Sequence, residues 1–275
     1  MDGLTEWHGN ENDRRYNTRP PSPATGYSHP SCFACGLNDC SRTISREHYV
    51  SQSILTLFGN NNITAAGLPW IPDGQMKSVS VASLTSKILC TRHNESLSPL
   101  DDVASAFFRF FTVQQHWVEA ERLTFRGNDL ERWLLKTLCG LAMSGNATLN
   151  GMPIKSWRPP LQWLEILFGG RDVESPAGLH FITGKHQAAE GTLHVQPVFK
   201  SVTGHPIALA FVVSGIGFLF AMEALPPMRQ PSITGGGTSY RPKALRIQRG
   251  ESTREGQFGW PDGQVISLNV SGSRI

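Results

Sequence analysis

A membrane-spanning run, a lopsided charge and an even set of cysteines are all missing from this sequence. Its longest uncharged apolar run, Ile207 to Met222, is short of the roughly 20 residues that cross a bilayer. Ser214 and Gly215 interrupt it as a turn signal, so it reads as two short buried strands joined by a tight turn. The first thirty residues carry no apolar h-region, which excludes a secretory signal in this stretch. Basic and acidic residues nearly cancel, 25 against 22, leaving +3 in 275 residues. A protein that coats nucleic acid by bulk charge is far more basic, so any nucleic-acid contact must come from a local site. No period of 20 to 50 residues recurs, which excludes solenoids and propellers. What is present suffices for a packed core, with hydrophobic residues at 39%.

The five cysteines are Cys32, Cys35, Cys40, Cys90 and Cys139. An odd count argues against a disulfide framework and for a reducing, cytoplasmic location. Cys32 and Cys35 form a C-x-x-C, and Cys90 opens a C-x-x-H with His93. Two close pairs of soft or borderline ligands are how a chain builds a tetrahedral zinc site. Cys139 lies in an apolar helical stretch and reads as a small core residue.

Four segments are expected. Residues 1–30 are a polar, Pro-rich arm without regular structure. Residues 31–100 form the cysteine-bearing module, interrupted by the Asn-, Gly- and Pro-rich stretch Gly59 to Ser78, which reads as a loop or insertion. Residues 101–172 are helical. Val103, Phe107, Phe110, Phe111, Trp117 and Val118 make one apolar stripe, and Asn128 with Glu131 suggests a capping box before Leu130, Trp133, Leu134, Leu138 and Leu141. A short third helix is expected from Leu161 to Phe168. Residues 173–275 are strand-like, in the runs LHFI, TLHVQPVF, PIALAFVV, GFLFAM and QVISLNV. Helices followed by strands predict an α+β fold with a C-terminal β domain, which offers a surface for a protein partner.

The order C-x-x-C, then Glu47-His48, then Cys90-x-x-His93-Asn94 resembles the HNH (ββα-metal) endonucleases in their zinc-knuckle, treble-clef form. The resemblance covers Ser31 to Leu100, about a quarter of the chain. It implies a structural Zn2+ on Cys32, Cys35, Cys90 and His93. It further implies a catalytic Mg2+ or Mn2+ on the hard oxygen donors of Glu47 and Asn94, with His48 as general base. Arg46 or Arg92 would clamp phosphate oxygens. The implied activity is metal-dependent hydrolysis of phosphodiester bonds in nucleic acid, DNA first. The sequence departs from the family pattern at His93, where a fourth cysteine is commoner, at Glu47, where Asp is, and at Ser51, where Pro is.

Blander readings stand beside these. The module is also compatible with a catalytically inactive zinc knuckle that binds nucleic acid or a partner. Asn94 also suits a helix cap. His194 alternates with Leu193 and Val195 and is expected to face solvent. The segment Tyr240 to Arg249, with Arg241, Lys243, Arg246 and Arg249, reads either as a nucleic-acid contact or as a solvated basic strand edge.

Overall fold

The aromatic stripe anticipated on the middle helix is the pivot of the structure. The computed structural model describes residues 16–112, 120–146, 148–149, 152–153, 157–182, 191–213, 215–223, 238–249, 251–260 and 267–271. In chain order come β1 (Ile44–His48), α1 (Gln52–Leu55), β2 (Asn62–Ala66), β3 (Met76–Ser80), β4 (Thr85–Cys90) and α2 (Thr91–Thr112). Then follow β5 (Ala120–Arg126), α3 (Gly127–Met143), the short strands β6 (Thr148–Leu149) and β7 (Met152–Pro153), and α4 (Leu161–Leu167). The rest is strand: β8 (Gly178–Ile182), β9 (Thr192–Phe199), β10 (Pro206–Val213), β11 (Ile216–Ala221), β12 (Thr238–Tyr240), β13 (Ala244–Arg249), β14 (Ser252–Gly259) and β15 (Ser267–Ser271). The fold is mixed α+β, as expected.

On α2, Phe107 packs edge-on against Phe125 of β5 and Phe218 of β11, and Phe108 meets Trp133 of α3 and Phe211 of β10. These rings join a four-stranded sheet, β15-β13-β14-β5, to a seven-stranded one, β12-β8-β11-β10-β9-β2-β3. Each ring buries a large apolar area, so the stripe is core rather than a base-stacking platform. Gly256 of β14 is required there, because a Cβ would lie 2.6 Å from the Phe111 ring. The helix begins twelve residues before the stripe, at Thr91, and continues through Pro99. Proline removes the amide that would bond the Glu95 carbonyl, and the Ser98 hydroxyl donates to that carbonyl instead at 2.9 Å.

The run Ile207 to Met222 is the expected strand pair. β10 and β11 are antiparallel, with Val213 opposite Ile216, and every residue of both strands is buried. Coverage on both faces explains why the sequence does not alternate. Among the described residues no helix is long and apolar enough to cross a membrane.

Several expectations are corrected. The Gly59–Ser78 stretch is not simply a loop: β2 lies in it and β3 begins in it, and β2 pairs in parallel with β9, extending the C-terminal sheet. Single alternating positions, Ile63 and Ala65, are its only buried residues in β2, too faint a signal amid Asn and Gly. A boundary near residue 100 falls inside α2, and one hydrophobic core contains residues from Cys32 to Trp260. Part of the expected arm is fastened down. Thr18 is fully buried and donates to the Leu167 carbonyl at 2.7 Å, while Arg132 bonds the Tyr16 carbonyl at 3.1 Å. Residues 1–15 of that arm lie outside the described residues. The middle segment is not purely helical, since β5 pairs in parallel with β14.

Glu131 does not close a capping box. It is fully buried, and both its oxygens accept from Arg241 at 2.8 Å. That pair also removes Arg241 from any basic edge. β13 lies between β15 and β14, and Arg246 bonds Glu255. His194 is half-buried instead of solvent-facing, because Gly67, just past β2, approaches it so closely that a Cβ there would sit 2.8 Å from its Nε2. Residues 113–119, with Trp117 and Val118 of the expected stripe, lie outside the described residues.

Candidate metal centre

β1 and β4 form an isolated antiparallel pair, with His48 opposite Thr85 and Ile44 opposite Cys90. Cys90 ends β4 and Thr91 starts α2, so strand and helix join without a loop. His93 is therefore delivered one turn from Cys90. Four ligand atoms, from Cys32, Cys40, Cys90 and His93, all lie within 4.8 Å of one another, and all four residues are buried. His93 Nδ1 is 3.2 Å from Cys90 Sγ, 3.5 Å from Cys32 Sγ and 3.8 Å from Cys40 Sγ. Zinc bonds of about 2.3 Å to sulfur and 2.0–2.1 Å to nitrogen at tetrahedral angles require N···S separations of roughly 3.6 Å. The donor set and its spacing thus fit a structural Zn2+.

One ligand differs from the expected set. Cys40 takes the place assigned to Cys35. A tight 3-10 turn, Cys35–Leu37, ends on Asn38 in the left-handed region (φ +52°), and the Cys40 amide bonds the Tyr27 carbonyl at 2.7 Å. This reversal brings Cys40 back to Cys32, while Cys35 is half-buried outside the group. Backbone amides support the sulfurs: Cys90 N–H points at Cys32 Sγ and Ser41 N–H at Cys90 Sγ, both at 3.4 Å. The Cys32 thiol and the His93 ring hydrogen-bond to Cys90 and hold it well below the ordinary thiol range. The same contact to Cys90, with burial, drives Cys32 up. Burial also raises Cys40. The thiolate is the form in which cysteine binds metal.

Beside this cluster the resemblance-derived residues assemble only in part. Asn94, expected to share a cation with Glu47, lies in the first turn of α2 instead of capping it, and its side chain favours the charged form of Glu47. The ammonium of Lys136, from α3, sits 2.6 Å from Glu47 Oε1 and 2.8 Å and 2.9 Å from the two oxygens of Asp101. Asp101 also accepts from Ser51 Oγ at 2.5 Å, and Ser51 accepts from Trp133 Nε1 at 2.8 Å. Burial works against the charge on Lys136, but Asp101 and Glu47 outweigh it and hold the group above its ordinary value. Burial pushes Glu47 up against the pull of Lys136, since two carboxylates share one ammonium. Lys136 and Asp101 carried no recognisable motif. Their only sequence trace was a lysine amid Trp133–Leu141 on an otherwise apolar helix.

His48 is half-buried and hydrogen-bonds the Val81 backbone, while its Nε2 is buried without a partner among the described residues. The Val81 backbone favours the charged ring. Burial, then Lys136, lowers the His48 pKa below its ordinary value. The two arginines part ways. Arg46 is exposed at an irregularity in the β1–β4 register. Arg92 is engaged with Asp39 at 3.0 Å and with the Pro21 and Pro23 carbonyls, bracing the Cys40 loop. A cleft of about 290 Å³ alongside β4 is lined by Ser86, Lys87, Ile88, Met143 and Arg158 among others, with two cations and no acid.

Comparisons with family models, with curated proteins and with solved structures return no match for this chain.

Proposed function

We propose that the chain is a metal-dependent nuclease, hydrolysing phosphodiester bonds through a zinc-stabilised site of HNH, or ββα-metal, type. One observation carries the reading: Glu47 and His48 end β1, and Asn94 lies in the first turn of α2 directly after His93 of the Cys3His cluster. In this reading β1, β4 and α2 are the ββα unit, and the structural zinc pins its strand–helix junction. A reducing, cytoplasmic location keeps the cysteines available as ligands. Glu47 and Asn94, with Asp101, supply hard oxygens for Mg2+ or Mn2+, and such an ion supplies charge stabilisation at the scissile phosphate. The presence of the Lys136 ammonium among these oxygens is itself evidence that they suit a cation.

His48 takes the proton of the attacking water as general base, and its Nε2 has no hydrogen-bond partner among the described residues. Nucleic acid, DNA in the first instance, approaches along the Lys87–Arg158 cleft, where both cations meet phosphate without a competing acid. Arg46 is the exposed arginine able to join them; Arg92 is held by Asp39. The test is cleavage of plasmid, single-stranded DNA and RNA with Mg2+ or Mn2+. His48→Ala should retain zinc while the rate falls by roughly 10²–10⁴. Glu47→Ala should be partly rescued by raising the metal concentration. Equal cleavage by parent and variants would refute the assignment of the site.

A second reading has one observation in its favour. Lys136 already neutralises Glu47, so the module also suits a zinc knuckle that binds nucleic acid or a protein partner without cutting. A parent protein that binds nucleic acid and cleaves none with any divalent ion decides for it.

A further inference from the structure

The oxygens that the nuclease reading assigns to a catalytic cation already hold one, tethered to α3. Lys136 is 95% buried and reaches Glu47 and Asp101 at once. The arrangement is built. Asp101 is fixed by Ser51, Ser51 by the fully buried Trp133, and Trp133 stands on the same helix as Lys136. We infer that Lys136 is a latch: its ammonium competes with divalent cations for Glu47 and Asp101, and metal enters this site only by displacing it.

The charges make the competition direct. Two carboxylates around one ammonium leave the cluster one negative charge in excess, so a dication in that place would neutralise it. Lys136 cannot stay at 2.6 Å from Glu47 once an ion with bonds of about 2.0–2.1 Å takes the same oxygen, because the two cations would repel at close range in a poorly solvated site. Displacement is feasible for a lysine, whose four-carbon stem can swing its charge to another position. Asp101, whose side chain is 26% exposed, is the flank through which an ion would arrive. The latch rests on the nuclease reading for its purpose, but its metal chemistry stands apart from cleavage.

The experiment measures Mn2+ binding to zinc-loaded protein by electron paramagnetic resonance, with Mg2+ competition. Lys136→Met and Lys136→Gln should bind Mn2+ at least about tenfold more tightly than the parent, about 1.4 kcal/mol of relieved competition. Adding Glu47→Gln to either variant should abolish the gain. Equal or weaker Mn2+ binding in both variants would overturn the proposal. Should neither variant fold, the parent alone decides. Saturating Mg2+ must then release the Lys136 amine to amine-reactive labelling, read by peptide mass spectrometry, and unchanged labelling overturns the latch. Failure of the parent to cleave nucleic acid would remove the nuclease reading and leave these binding results standing.

Discussion

Replacing Cys40 and replacing Cys35 should have opposite consequences, although the sequence spacing assigns the ligand role to Cys35. Zinc binding to a structural site contributes about 10–16 kcal/mol of apparent free energy, and that energy is folding energy where the site does not exist in the unfolded chain. Shared over the four donors, each ligand accounts for roughly 2.5–4 kcal/mol, or about 10²–10³ in zinc affinity. Cys40→Ser should therefore lose zinc to a moderate chelator that leaves the parent loaded, and its melting temperature should fall with the metal. Cys35→Ser should keep one zinc per chain and melt close to the parent, since Cys35 stands outside the cluster. Elemental analysis after chelator challenge, paired with thermal unfolding, reads both. Retention of zinc by Cys40→Ser together with its loss from Cys35→Ser would refute the assignment and restore the C-x-x-C pairing.

Two further outcomes follow from buried charge. Glu131→Gln should destabilise the fold by about 3–5 kcal/mol in denaturant titration, because Arg241, 2% exposed, would lose the carboxylate it bonds twice; an effect within error of zero would show that the pair carries no stability. The pKa of Lys136 is higher in the folded chain than its ordinary 10.5, so its contribution is complete below about that pH and lost as pH climbs through the folded value. Thermal melts should thus fall more steeply on the alkaline side for the parent than for Lys136→Met, and parallel curves would contradict the ion-pair geometry.

The parts of the fold legible in the sequence are those in which one face or both faces decide the residue type. Phe107, Phe110 and Phe111 announced a helix, and the unbroken run around Phe211 and Phe218 announced strands buried on both sides. What escaped was tertiary pairing. β2 is a strand because β9 lends it partners, not because Asn62 to Ala66 prefers that state. Glu131 matched a capping pattern to the letter, yet Arg241, far along the chain, claims its carboxylate. Local rules see neighbours within a few residues, and these contacts are made between segments that only the folded core brings together.

The candidate site divides along the same line. Cys32, Cys90 and His93 were legible because each belongs to a short spacing with its own chemistry. Cys40 was passed over because C-x-x-C is the commoner way to place two ligands on one turn, and only the reversal at Asn38 makes Cys32 and Cys40 equivalent to such a pair. Lys136 was invisible for a deeper reason. A basic residue among leucines and a tryptophan reads as a long side chain reaching for solvent, and it is buried here only because two acids from other elements meet it. A local motif contains Glu47 but cannot say that Lys136, 89 residues on, pairs with it. The Cys3His cluster fixes where β4 hands over to α2, and through α2 it fixes Asn94 and Asp101. α3, packed across the same helix, decides what those oxygens hold. What those oxygens hold in the folded chain is the Lys136 ammonium, at 2.6 Å from Glu47 and 2.8 Å from Asp101.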